Sequence, residues 1–199
     1  MSLVRPFQGE QIAAPRNLPD FRLPEAGRPL DIEIGCGVGW HPIRYATENP
    51  ERFLVAIEHT RTRFARFEGR LARHAPIANL HAVHADAVAW VTHFVPLGSV
   101  DRYFFLYPNP RPRPWYSMPF FGRVVQTLKP GGSVLLATNE LDYHREARAY
   151  FVRAWGLRIV SERKLSALDT PPPVARTHFE KKYLARGQEC FELLAQRLV

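Results

Sequence analysis

Short apolar runs alternate with longer stretches of mixed polarity from Leu30 to the C-terminus, and this alternation predicts strands and helices in turn. Leu30-Asp31-Ile32-Glu33-Ile34 reads as a strand running into Gly35-Cys36-Gly37-Val38-Gly39, followed by a helix from about His41 to Glu48. Phe53 to Ile57 predicts a second strand, Arg61 to His74 a basic helix, Leu80 to His84 a third strand and Val100 to Tyr107 a fourth. A helix within Trp115 to Leu128 ends at Lys129-Pro130-Gly131-Gly132, and Ser133 to Thr138 supplies a fifth strand. Beyond it come a helix over Leu141 to Trp155, a strand over Leu157 to Arg163, the stiff loop Asp169-Thr170-Pro171-Pro172-Pro173 and a closing strand at Cys190 to Leu194. Strands alternating with helices at this spacing predict an α/β domain whose mostly parallel sheet is covered on both faces. Residues 1–29 carry Pro6, Pro15, Pro19, Pro24 and Pro29 without an apolar period, so they read as an extended arm before a single domain over 30–199.

Composition narrows the class. With 199 residues, 46% hydrophobic and 23% charged, the chain can bury a sizeable core and is not of the disordered type. No apolar run approaches the roughly 18 residues of a membrane span, and the N-terminus has no secretory pattern. Cys36 and Cys190 are too few for a disulfide framework or a cysteine-rich zinc site, and the scattered histidines form no close ligand set, so no metal is expected. The expectation is a soluble cytoplasmic protein with no membrane partner, either monomer or homodimer.

Charge adds a partner. Lys and Arg number 27 against 19 acids, a net +8, and all but Lys129, Lys164, Lys181 and Lys182 are arginine. A basic, arginine-rich chain suits a polyanion, although GC-rich coding also favours Arg, Ala and Pro together. On the basic helix, Arg63, Arg66, Arg70 and Arg73 share one broad face, suited to a phosphate backbone or equally to solvent.

The glycine segment sits where a strand turns into a helix, so its backbone can bend sharply and be approached closely by a ligand. Position 40 is Trp, which departs from the G-x-G-x-x-G of dinucleotide binding. Instead, G-x-G-x-G with Glu33 two residues earlier resembles motif I of class I S-adenosylmethionine-dependent methyltransferases, a seven-stranded Rossmann-like fold. That resemblance implies that Gly35, Gly37 and Gly39 pass under the methionine and ribose of S-adenosyl-L-methionine. It also implies ribose binding by Glu58 at the end of the second strand, and adenine binding by Asp86 with the Ala87 N–H. Taken singly, Glu58 and Asp86 also fit a strand end or a helix cap.

The acceptor side follows the fourth strand, in Phe104-Phe105-Leu106-Tyr107-Pro108-Asn109-Pro110-Arg111-Pro112-Arg113. In an open α/β sheet the strand C-termini line the ligand crevice, so this loop faces the transferred group. Near the C-terminus, Thr177-His178-Phe179-Glu180 also fits a helix start with Thr177 as cap and Glu180 completing a capping box. The G-x-G-x-G segment, Asn49 to Glu58, the F-x-x-P-x-P loop, Lys-Pro-Gly-Gly and T-x-F-E together resemble bacterial tRNA (guanine-N7)-methyltransferases. The resemblance implies a tRNA partner, with Glu33, Glu58 and Asp86 at cofactor positions, Asn109 at the reacting loop and Arg113 contacting substrate. It further implies guanine contacts from Thr177, His178, Phe179 and Glu180.

Two positions depart from that pattern: Asn109 and Asn139 are amides where the family has acids. Guanine N7 carries an in-plane lone pair and no proton, so transfer needs alignment and electrostatics rather than a general base. Asn109 still offers a carbonyl and an amide, and Arg113 suits a phosphate or the guanine O6. What the amides weaken is the anionic hold on the guanine N1–H and N2–H₂ edge, for which Glu180 is the remaining expected acid. Two alternatives stay open: an amino-methyltransferase using Asn109-Pro110 to hold an exocyclic amine, and an RNA-binding protein that keeps the cofactor without transfer.

Overall fold

The computed structural model describes residues 4–15, 24, 27–74, 76–109, 114–168 and 175–198. Seven strands form one sheet: β1 (Leu30–Ile34), β2 (Phe53–Glu58), β3 (Leu80–His84), β4 (Val100–Leu106), β5 (Leu128–Thr138), β6 (Leu157–Leu165) and β7 (Cys190–Arg197). Their spatial order is β3-β2-β1-β4-β5-β7-β6. β1 pairs in parallel with β2 and β4, and the chain reverses only at β7, which runs antiparallel between β5 and β6. The order reverses beside β1, so its C-terminal end opens a crevice of the kind that holds ligands in open α/β sheets.

Six helices connect the strands: α1 (Trp40–Glu48), α2 (Arg61–Leu71), α3 (Ala87–Phe94), α4 (Phe120–Thr127), α5 (Leu141–Arg153) and α6 (His178–Ala185). The main core lies between the sheet and α3, α4 and α5, where Trp90, Phe105, Phe121 and Phe151 are almost fully buried. On the other face α1 and α2 pack Ile43 and Phe67 against Ala56. Two β1 positions break the apolar rule for a buried strand and both are paired. Asp31 accepts two bonds from Arg52, at 2.5 and 2.6 Å, and one from the Tyr45 hydroxyl at 2.7 Å. Such pairing is what lets a wholly buried carboxylate persist.

Several elements differ from the sequence expectation. α3 was not foreseen, because Ala87 to Phe94 is short, nearly all apolar and without a 3.6-residue polar stripe. The segment read as one helix from Trp115 splits into a 3-10 turn, Trp115–Ser117, and α4 after Pro119. β5 starts at Leu128 rather than Ser133, because Leu128 pairs with Val100 across a register shift that absorbs the Pro-Gly-Gly segment. α2 stops at Leu71 instead of His74. Part of the arm packs on the domain, with Phe7 edge-on to Phe120 and the Ile12 carbonyl 2.7 Å from His93 Nε2. The proline loop from Asp169 lies outside the described residues. No helix among the described residues is long and apolar enough to cross a membrane.

Candidate methyl-transfer site

The glycine loop is built on left-handed backbone. Gly35, Gly37 and Gly39 have φ of +78°, +62° and +78°. At Gly39 a neighbour adds to the conformational demand, since a Cβ there would stand 1.9 Å from the Phe67 ring. The N–H groups of Gly35 and Cys36 both donate to the Ile57 carbonyl, at 2.8 and 3.1 Å, which stitches the loop to the end of β2. Glu58 completes the stitching: its carboxylate accepts the Gly37 N–H at 2.9 Å and the Thr60 N–H at 2.8 Å. Two of its four lone-pair sites are thereby used, and two remain for a ligand's hydroxyls.

Above the strand C-termini lies a cavity of about 630 Å³, within the range of small-molecule sites. Glu58 and Gly37 border it on the cofactor side, and Tyr107, Pro108, Asn109, Asn139 and Phe179 on the acceptor side. A side recess of about 140 Å³ is bounded by Ile57, Ala85, Asp86, Ala87 and Trp115. A narrower one of about 30 Å³ is bounded by Glu33, Cys36, Trp40, His41, Thr177 and His178. Gly35 borders all three, so they lie around the glycine loop.

Asp86 caps α3, its Oδ1 accepting the Ala89 N–H at 2.9 Å, and it also borders the side recess. Glu33 is buried and its Oε2 lies 2.7 Å from His41 Nδ1. His41, one of the scattered histidines, gave no sequence signal for this contact, which depends on β1 running into α1. Trp40 stacks on His178 at 5.8 Å, with the Arg70 guanidinium and the Lys181 ammonium 5.8 and 5.6 Å from its ring centre. It clasps α2 and α6 to the glycine loop. The expected basic face of α2 is therefore divided: Arg70 turns inward, Arg63 borders the cavity and Arg66 and Arg73 are exposed.

On the acceptor side, Tyr107 has φ +53°, a left-handed value that no other non-glycine among the described residues adopts. Its hydroxyl reaches inward to Glu180, and Tyr107, Pro108 and Asn109 all border the cavity. Arg113 lies outside the described residues. Asn139 follows β5 and donates from Nδ2 to Glu140 Oε1 at 3.1 Å. Glu140, which the sequence reading passed over, is exposed and borders the cavity. Its position one residue past the expected acid was the available signal.

The T-x-F-E segment separates. The Thr177 hydroxyl caps α6 by accepting the Glu180 N–H at 3.0 Å, while Phe179 is 38% exposed at the cavity. Glu180 is 1% exposed and faces inward. Its carboxylate accepts from the Arg176 N–H at 3.0 Å, the Arg176 guanidinium at 2.8 Å and the Tyr107 hydroxyl at 2.7 Å. Arg176 also bridges to Glu192 on β7. Burial would push the Glu180 carboxyl up, but the charge and hydrogen bonds of Arg176 outweigh it and hold the group below its ordinary value. Burial and the Glu180 charge drive the Tyr107 phenol far up, so it remains a donor. Glu180 is thus held by Arg176 and Tyr107 and is not among the residues bordering the cavity.

Comparison with known proteins agrees with the geometry. A family model described as a putative methyltransferase matches residues 27–193. The tRNA (guanine-N(7)-)-methyltransferase of Anaeromyxobacter dehalogenans is 30% identical over 188 residues, covering 88% of this chain and 90% of that protein. That of Roseobacter denitrificans is 30% identical over 168 residues, covering 81% and 71%. Among solved structures, the 16S rRNA methyltransferase KamB shares the fold with a TM-score of 0.65 at 21% identity, covering 86% of this chain and 88% of that one. The glycine loop, the acids after β2 and β3, the acceptor loop after β4 and the capped T-x-F-E helix thus occur together in a chain that belongs to the tRNA (guanine-N7)-methyltransferase family of S-adenosylmethionine-dependent methyltransferases.

Proposed function

We propose that this chain transfers the methyl group of S-adenosylmethionine to N7 of a guanine in tRNA. The observation that carries the reading is that the recess beside Asp86 and the acceptor cavity beside Asn109 both border Gly35 of the glycine loop. The residues present fit the cofactor. Glu58 keeps acceptor sites for vicinal hydroxyls, Ile57 and Trp115 wall a recess suited to a purine, and the glycine backbone lets a bulky sulfur centre pass closely. When bound, S-adenosylmethionine supplies an electrophilic methyl on a positively charged sulfur.

The chain's own groups then bind and align. Asp86 would accept from the adenine amine and the Ala87 N–H would meet the ring, while Glu33 with His41 fixes the junction of β1 and α1. Asn109 and Asn139 orient the acceptor base, and Phe179 and Tyr183 offer ring faces to it; Arg113, outside the described residues, would hold a phosphate or the guanine O6. Glu180 serves from beneath, by holding Tyr107 and the first turn of α6. No group need take a proton, because N7 attacks with a lone pair; the rate comes from placement.

The test is nucleoside mass spectrometry of tRNA lacking 7-methylguanosine after incubation with the protein and S-adenosylmethionine. New 7-methylguanosine is expected. N6-methyladenine or N4-methylcytosine in its place would assign the Asn-Pro loop to amine methylation, and cofactor binding without any methylated product would make the chain a binding protein.

A further inference from the structure

The base edge opposite the methyl donor needs an acceptor that none of the anticipated residues supplies. A guanine whose N7 meets the cofactor directs N1–H and N2–H₂ toward the far wall of its cavity. Left unpaired in a desolvated site, these donors would weaken binding of the right base, and a carboxylate with two oxygens matches them as a pair. Asn109 and Asn139 are neutral, and Glu180 is sealed by Arg176 and Tyr107. Both Glu58 oxygens accept backbone N–H groups on the cofactor side, and Asp86 borders the other recess.

Glu140 remains. It borders the acceptor cavity beside Asn139 and is exposed, so its carboxylate reaches a ligand without first breaking a buried network. Its backbone is fixed: the N–H donates to the Thr138 hydroxyl at 3.1 Å, and the carbonyl accepts the His144 N–H at 3.0 Å in the first turn of α5. The side chain does not cap that helix although it occupies the cap position. It is held instead by the Asn139 amide, which takes Oε1 at 3.1 Å and fixes the direction of the group.

We propose that Glu140, oriented by Asn139, recognises the target guanine by accepting N1–H and N2–H₂. This rests on the reading of the cavity as a guanine-N7 methylation site. During transfer the N7 lone pair forms the new C–N bond while the C–S electrons return to sulfur, so positive charge moves onto the base and no proton changes place. The Glu140 anion faces that developing charge, which a neutral amide cannot offset. The acid that the family pattern places at residue 139 is thereby displaced by one position, and Asn139 becomes its positioning partner.

The experiment compares wild type, Glu140→Gln and Glu140→Ala on tRNA transcripts carrying guanine or inosine at the methylated position, inosine lacking only the N2 amine. Wild type should favour guanine by about tenfold or more in kcat/KM, the discrimination of a site built to bond that group. Glu140→Gln should lower kcat/KM for guanine by about 10- to 100-fold, bring the guanine-to-inosine ratio toward one and leave cofactor affinity within about twofold. A second readout needs no turnover: binding of 7-methylguanosine 5′-monophosphate against guanosine 5′-monophosphate. Wild type should prefer the cationic methylated nucleotide, and both variants should lose that preference. Transfer by wild type with discrimination and nucleotide preference unchanged in the variants would overturn the role of Glu140 alone. A wild-type protein that neither transfers nor prefers the methylated nucleotide would overturn this role together with the functional reading beneath it.

Discussion

Removing one oxygen from Tyr107 tests whether Glu180 works through the acceptor loop. In Tyr107→Phe the ring keeps its place against Tyr183, 5.8 Å away, while the hydroxyl's 2.7 Å bond to Glu180 and its contact with the Cys190 thiol are lost. A hydrogen bond to a charged, buried acceptor contributes about 1.5–3 kcal/mol. Arg176 still holds the same Glu180 oxygen at 2.8 Å, so the lower half of that range, about 1.5–2 kcal/mol, is the expected loss. Glu180→Ala goes further. It strips Arg176 of one partner, leaves Glu192 as the other, and leaves the Tyr107 hydroxyl with only the weak Cys190 thiol contact, for an expected loss of about 3 kcal/mol. Urea unfolding monitored by tryptophan fluorescence measures both, provided the slope with denaturant is unchanged. The double variant Tyr107→Phe/Glu180→Ala, set against these two single variants, should show a coupling of about 1 kcal/mol or more between the sites. A functional signature accompanies it. The left-handed backbone at Tyr107 costs about 1–3 kcal/mol and needs an anchor, so loss of the hydroxyl should free Pro108-Asn109 and lower kcat about tenfold, with cofactor affinity unchanged. Additive stabilities together with a wild-type kcat would refute the linkage between α6 and the loop.

Three further outcomes are expected. Gly39→Ala forces a Cβ into the Phe67 ring at a φ of +78°, and should cost more than about 4 kcal/mol and abolish cofactor binding, as read by thermal unfolding with and without S-adenosylhomocysteine. Arg63→Ala/Arg66→Ala should weaken tRNA binding and reduce the slope of log affinity against log salt by about 1–2, measured by filter binding from low to moderate salt. His81 and His144 are both lowered by burial, so each folded pKa lies below the unfolded one. Their stabilisation is full above the unfolded value of about 6.5 and is lost as pH falls through the folded value, so urea midpoints should drop on acidification and drop less in His144→Gln.

What the sequence revealed and what it hid have a common physical cause. Period and glycine chemistry are local, so β1, the loop at Gly35 and the acids closing β2 and β3 were legible as an ordered set. Each is specified by residues a few positions apart. α3 escaped because Ala87 to Phe94 is apolar except for Thr92 and His93, so although only Ala87, Trp90 and Val91 are buried, no polar face marks a helical period. The acceptor site was the harder case, because its residues come from three distant segments that the sheet brings together. Thr177-x-Phe-Glu180 supported two readings, guanine contact or helix cap, and spacing alone does not choose between them. The choice is made by Arg176, whose guanidinium draws the Glu180 carboxylate inward and away from the cavity. That contact in turn depends on Glu192 standing at the matching register of β7. With Glu180 committed to the interior, the acid expected at the cavity must come from elsewhere, and the fold places Glu140 there, next to an amide that aims it. The two amides in the family pattern therefore do not signal a disabled enzyme by themselves. Their consequence depends on whether Glu140 carries the charge they gave up, and the guanine-to-inosine ratio of Glu140→Gln decides it.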